Sequence, residues 1–198
     1  MKFGKGAWLL LAAVLLLGLW VMWQYNWLVS IDEDVNRAWA DVEWQYQRRA
    51  DLIPNVVETV RWFADQESKV FTDVVEARAK ATQTNIDISD PSSIAAFEQA
   101  QGNVTSALSR LLVTVENYPD LKSNENFLAL QVELEGTENR IAVARWRYNE
   151  VVTEYAKKVR TFPANIAAKI FWFENREQFE AEEWTEVAPV VDFGADEE

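Results

Sequence analysis

From Gly6 to Ile31 the chain carries no charged side chain. Ala7 to Trp23 is continuously apolar, and with Gln24 to Ile31 added, a helix rising about 1.5 Å per residue crosses a hydrocarbon layer of roughly 30 Å. A helix buried in a protein core keeps a polar face, and this stretch has none. Its large aromatics sit near its two ends: Trp8 at one, and Trp20, Trp23, Tyr25 and Trp27 at the other. Amphipathic rings favour those levels, where lipid headgroups meet water. A cleaved secretion signal has a shorter apolar run ending in a small-x-small site, whereas this one continues through Leu19, Trp20, Val21, Met22 and Trp23. The reading is therefore an uncleaved anchor over residues 7–27 behind a short basic N-terminus, residues 1–6. There is no cysteine to carry a lipid instead. Lys2 and Lys5 precede the run, while Asp32, Glu33 and Asp34 follow it. That bias favours a cytoplasmic N-terminus and an extracytoplasmic C-terminal domain, with the opposite orientation left open.

The rest of the chain is long enough for one domain with its own core. It holds all 32 acidic and 17 of the 19 basic residues, a formal charge of −15. Such a surface repels nucleic acid, so no nucleic-acid partner is expected. With no histidine and no cysteine, there is no Ser-His or Cys-His nucleophile, no thiolate zinc site and no imidazole proton shuttle. The six glycines are scattered and form no phosphate loop. An active site would need facing carboxylates or a bound cation. Glu133, Glu135 and Glu138 lie on one helix, Glu135 and Glu138 one turn apart, without the histidines of a di-iron bundle. No catalytic residue, metal ligand or cofactor is assigned.

Beyond the anchor, apolar residues recur at helical spacing. Leu28, Ile31, Val35, Ala38 and Val42 form a seam that continues through Gln45 to Arg49, with no Gly or Pro between it and the membrane helix, so anchor and first helix form one rod. Pro54 disfavours helix at Ile53 and suits a first helical turn, which favours a tight turn at residues 51–54 over a kinked continuous helix. Four helices are expected over about 28–51, 54–83, 92–117 and 124–161. The third starts at Asp90-Pro91-Ser92-Ser93 and carries Ile94, Phe97, Gln101, Val104, Leu108, Leu111 and Val115. The fourth has the cleanest repeat: Phe127, Leu134, Ile141, Tyr148, Tyr155 and Phe162 are each seven apart, with Leu130, Thr137, Ala144 and Val151 as companions. A sustained heptad means helix packed on helix at a shallow angle. The fold class is thus all-α: one N-terminal transmembrane helix, then an antiparallel up-down-up-down four-helix bundle over 28–162, with a short C-terminal amphipathic segment. That segment, 163–191, returns to the membrane end, where Ile166, Ile170, Phe171, Trp172 and Phe173 either close the open end of the bundle, the favoured reading, or lie in the interface as a foot. Residues 192–198 form an acidic tail.

Several runs are familiar. Tyr25-Asn26-Trp27-Leu28-Val29, Arg48-Arg49-Ala50-Asp51-Leu52-Ile53-Pro54-Asn55-Val56-Val57-Glu58-Thr59-Val60, Val115-Glu116-Asn117-Tyr118-Pro119-Asp120-Leu121-Lys122, Glu133 to Ala142, Ala144-Arg145-Trp146-Arg147-Tyr148-Asn149 and Phe162-Pro163 resemble the LemA family of bacterial membrane proteins. The likeness runs in order from Tyr25 to Phe193. It implies an all-α up-and-down domain behind one N-terminal membrane helix and little chemistry; one branch of the family is associated with magnetosome membranes. It also implies an external N-terminus, against which the charge bias is preferred. Asp65-Gln66-Glu67 and Tyr155-Ala156 depart from the family pattern, which has a histidine and an asparagine there.

The polar residues within these runs are Arg48, Arg49, Asp51, Glu116, Asn117, Glu138, Arg145 and Tyr148. The expected arrangement pairs Arg48, Arg49 and Asp51 with Glu116 and Asn117 at the membrane-distal rim, fixing helix register. The alternative is a rim site where Arg48 or Arg49 grips an anionic ligand or peptide. Trp8, Trp20, Trp23, Tyr25, Trp27, Phe171, Trp172 and Phe173 are the candidate membrane-interface aromatics. The expected function is a non-enzymatic scaffold whose partners are the lipid bilayer and either further copies of itself (a homo-oligomer), another membrane protein, or both.

Overall fold

The computed structural model describes residues 5–64, 66–84 and 86–180. They are helical without strands, in the order α1 (Lys5–Phe63), α2 (Ser68–Gln83), α3 (Pro91–Val115), α4 (Pro119–Lys122), α5 (Glu125–Arg160) and α6 (Ala164–Ile170). The expected acidic tail and the end of the 163–191 segment lie outside the described residues.

α1 has 59 residues, about 90 Å of helix. Among the described residues it is the one helix long and apolar enough to cross a membrane. From Trp8 to Leu19 its side chains stand exposed, and its buried stripe begins at Gln24 and Leu28. The stripe then follows the expected seam through Val35, Ala38 and Val42, with Trp39 and Tyr46 added.

The expected turn at 51–54 is absent, because α1 runs through Pro54 and ends only at Phe63. Proline removes one amide donor, which strands the carbonyl four residues earlier, that of Ala50. Arg78 of α2 donates its Nε–H to that carbonyl at 2.6 Å. A neighbouring helix thus supplies the bond that Pro54 cannot, and on the other sides Ile53, Val56 and Val57 are buried. The break falls instead between Ala64 and Glu67, without Gly or Pro. Tyr118, just before α4, fixes it: its hydroxyl accepts from Gln66 Nε2 and donates to Glu67 Oε1, both at 3.2 Å. Replacing Arg78 with Met is expected to cost about 1–3 kcal/mol. In a Pro54→Ala background, where residue 54 regains its amide, most of that cost should vanish. Melting of all four members of this cycle measures it, and additive costs would contradict the pairing.

α3 starts where expected, with Asp90 accepting from Ser92 N at 2.9 Å. Every residue of its anticipated seam is buried. α5 is capped by Asn124, which accepts from Phe127 N at 3.1 Å. Phe127, Leu134, Ile141, Tyr148 and Tyr155 are buried as the heptad requires, whereas Phe162 lies beyond the helix and is 75 % exposed. α1 packs chiefly on α5 and α2 on α3. Along the first pair Trp27 meets Lys158, Trp39 meets Tyr148 and Arg49 meets Glu138, so partners fall in number on α5 as they rise on α1.

The interior divides in two. One apolar cluster joins Leu28 to Tyr46 of α1 with Ile94 and Phe97 of α3, Ile141 to Val159 of α5 and the C-terminal segment. The other joins Ile53 to Ala64 with α2, Val104 to Val115, Leu121, Phe127 and Leu134.

Candidate functional site: a polar layer and a C-terminal strap

Between the two clusters sits Arg49, only 2 % exposed. Its Nη1 donates to Glu138 Oε1 and to Thr105 Oγ1, each at 2.9 Å. Its Nη2 donates to Gln101 Oε1 at 2.5 Å and to the Gln101 carbonyl at 3.3 Å. The guanidinium also lies 5.1 Å from the centre of the Tyr46 ring. A buried guanidinium needs this many acceptors, because an unpaired charge in such a place is strongly unfavourable. Gln101, an unexpected polar residue in an apolar seam, is explained by this bond. Thr137, fully buried, sits in the same layer and accepts from Arg140 at 2.8 Å. The layer ties α1 to α3 and α5 at one height, since sliding any of them breaks several of these bonds.

The expected rim pairing is therefore corrected. Because α1 continues past Pro54, Arg49 lies fourteen residues short of its end, roughly 20 Å down the helix. Glu116 and Asn117, at the far end of α3, are exposed. Arg48 pairs instead with Glu133 at 2.8 Å on the surface, and Asp51 accepts from Gln47 at 2.7 Å. A cavity of about 160 Å³ adjoins the layer, lined in part by Arg49, Arg78, Tyr46 and Gln101. That is well below the roughly 300–1,000 Å³ of ordinary ligand pockets, and both arginines are already engaged.

Arg145 and Tyr148 belong to a second constellation. After α6 the chain turns at Trp172 and runs as an extended strap, residues 173–180, back over α5. Asn149 holds Phe179 at both backbone groups: its Nδ2 donates to the Phe179 carbonyl and its Oδ1 accepts from the Phe179 amide, each at 2.9 Å. Tyr148 and Tyr155 donate to the carbonyls of Glu177 and Glu174, both at 2.8 Å. Arg176 binds Asp32 of α1 at 2.9 Å and also donates to Ser89, while the Glu177 amide reaches the Ile88 carbonyl at 3.0 Å. Phe179 is buried, stacked on Trp39 at 5.7 Å and edge-on to Tyr148 at 5.5 Å. Over it lies the Arg145 guanidinium, 4.6 Å from the ring centre and paired with Glu98 at 2.7 Å. None of this was visible in the sequence, where the strap has no periodic apolar pattern. The one available signal was the run Arg145, Tyr148, Asn149: three polar groups projecting from a helix that is otherwise apolar on that side.

Burial raises the phenol of Tyr148 well above its ordinary value and that of Tyr46 likewise. Tyr155 is pushed up to about 12, by burial first and then by the Asp32 carboxylate. In the unfolded chain these phenols ionise near 10. The neutral forms thus contribute stability that is complete below pH 10 and is lost as the pH rises from there towards 12. Denaturation curves should be flat between about pH 7 and 9 and fall above 10, and Tyr155→Phe should make that fall shallower.

Among the described residues, no group of three or more Asp and Glu side chains is placed to hold a metal ion. Of the candidate interface aromatics, Trp8, Trp23 and Trp172 are exposed, Trp20 and Trp27 are half-buried, and Phe171 and Phe173 pack on Tyr25 with ring centres 4.8 Å and 6.1 Å away.

Comparison with known proteins places the architecture in context. The magnetosome protein MamQ 2 of Paramagnetospirillum magneticum is 25 % identical over 179 residues, covering 81 % of this chain and 66 % of that protein. The magnetosome protein MamQ of Magnetospirillum gryphiswaldense is 24 % identical over 202 residues, covering 90 % of this chain and 74 % of its own length. Protein LemA of Metamycoplasma hominis is 22 % identical over 158 residues, covering 80 % and 69 %. The chain thus spans just under two thirds of the first of these relatives. The LemA family pattern itself matches residues 38–193, from within α1 through the strap, and by that match the chain belongs to the LemA family.

Proposed function

We propose that this protein is a membrane-anchored helical scaffold, an up-and-down four-helix bundle whose first helix is the outer end of its own membrane span, acting by association with further copies or with another membrane protein. The observation that carries this reading is an apolar stripe left open on the outer side of α5. Leu128 with Val132, and Val143 with Trp146, are exposed on one side of the helix, with the exposed Glu135 and Asn139 between the two pairs. Exposed apolar surface of this kind, like the exposed Trp44 on α1, is characteristic of contact with protein. In support of a non-enzymatic role, the arginines and tyrosines inside the domain hold helices and strap together. The charge flanking the apolar run favours a cytoplasmic N-terminus with the domain on the other side.

The chain has no cysteine, so Val132→Cys or Val143→Cys gives a single thiol for cross-linking in native membranes. The scaffold reading expects oxidation to yield a dimer or an adduct with one defined membrane protein, at these positions and not at Glu76. A full-length chain that remains monomeric and uncaptured at both stripe positions would overturn it.

A further inference from the structure

α6 is inside out for a surface helix. Its small residues, Ala164, Ala167 and Ala168, are buried against α1 and α5, while Ile166 and Ile170 point outward at 47 % and 54 % exposure. Phe162 lies four residues before Ile166, and Trp172, 84 % exposed, follows two after Ile170. Trp172 has φ 55, a left-handed conformation unusual outside glycine, at the turn from α6 into the strap. All four are exposed, Ile166 and Ile170 over about half of their surface and Phe162 and Trp172 over most of it.

Where they lie matters. Phe171 and Phe173 pack on Tyr25, within the last two turns of the uncharged run of α1. α6 therefore sits beside the level where a membrane-spanning α1 leaves the hydrocarbon. The charge changes there too: in a chain of net charge −13, the nineteen residues from Tyr155 to Phe173 contain Lys157, Lys158, Arg160 and Lys169 and no acid. Of the carboxylates around the stretch, Glu154 faces Lys157 at 3.8 Å, Asp32 holds Arg176, Asp34 and Glu150 share a groove with Lys158, and Glu174 lies within the strap. Lys158 also lies 5.6 Å from the centre of the Trp27 ring, near the same level of α1. An apolar face rimmed by cations and adjoining a membrane span matches the surface of an anionic bilayer.

We propose that the outward face of α6, with Phe162 and Trp172, is a second lipid contact that seats among anionic phospholipid headgroups and holds the domain at a fixed tilt to its span. The inference rests on α1 crossing the membrane. With α1 and α6 both engaged, the domain cannot swivel about a single helix, and its α5 stripe is presented in a fixed direction.

The test uses full-length chains with one introduced cysteine, reconstituted in phosphatidylcholine vesicles with or without about one third phosphatidylglycerol. A spin label is placed at Ile170, with Leu16→Cys as the hydrocarbon reference and Glu116→Cys as the aqueous one. With the Leu16 label in hydrocarbon, the Ile170 label should read headgroup depth in the anionic vesicles. In a background carrying Lys157→Gln, Lys158→Gln, Arg160→Gln and Lys169→Gln, the anionic lipid should lose its effect, each cation accounting for about a fivefold change in the seated population. An Ile170 label as water-exposed as the Glu116 label in both vesicle types would overturn the proposal. So would a label shielded from both water and lipid, which would mean that a second copy covers α6. Scaffold failure is separate, since it is read by cross-linking on α5.

Discussion

Replacing Phe179 with alanine is expected to lower the melting temperature of the full-length protein by about 10 °C, from a loss of about 3–5 kcal/mol. The strap is held by hydrogen bonds from Tyr148, Asn149 and Tyr155. Bonds that exchange water for protein add only about 1 kcal/mol each. The decisive term is the ring, which is buried between Trp39, Phe97 and Tyr148 under the Arg145 guanidinium. Its removal leaves a cavity where three helices, α1, α3 and α5, meet the strap, and Arg145 loses the face over which it lies. Protease sensitivity within residues 173–180 should rise together with the loss of stability. A melting temperature unchanged within about 2 °C would mean that the strap contributes little and that its contacts are superficial.

The second large effect is at Arg49. Arg49→Ala removes the donor shared by Glu138, Thr105 and Gln101, and is expected to cost about 3–5 kcal/mol, as breaking a buried pair does. Glu138 is 39 % exposed and recovers water when freed, which puts the expected value at the lower end of that range. The stranded Gln101 side chain, 9 % exposed, does not. Arg48→Ala is the control: its pair with Glu133 is 41 % and 43 % exposed, and such pairs are worth about 0–1 kcal/mol. Arg49→Lys should fall between, since an ammonium keeps the charge but cannot span α3 and α5 with one planar fork. Equal losses at Arg48 and Arg49 in thermal melts would contradict the buried layer.

How much of this was legible depends on whether the cause was local. The α3 seam and the heptad of α5 were readable because burial on one side of a helix imposes its period on the sequence, and the capped start at Asp90 was readable because caps act within three residues. Pro54 was misread because its missing bond is supplied by Arg78, twenty-four residues away, and the true break at Ala64 to Glu67 depends on Tyr118. The partners assigned to Arg48, Arg49 and Asp51 were wrong for the same reason: moving the end of the helix by about three turns moved the rim with it. The strap left almost no pattern, since an extended segment anchored by one ring and its own backbone needs no repeat. Phe171 and Phe173 pack against the domain, while Ile166, Ile170 and Trp172 face away from it, a division that spacing alone does not reveal.

Taken together, the helix that packs the domain's core is also the helix that carries its uncharged run, so anchoring and folding share one element. Flotation with liposomes after an alkaline carbonate wash tests this most directly, comparing the full chain with one lacking residues 6–27. The full chain should float with the lipid and the shortened chain should stay in the aqueous layer. A full chain that remains in the aqueous layer would contradict the membrane span on which the anchored scaffold depends.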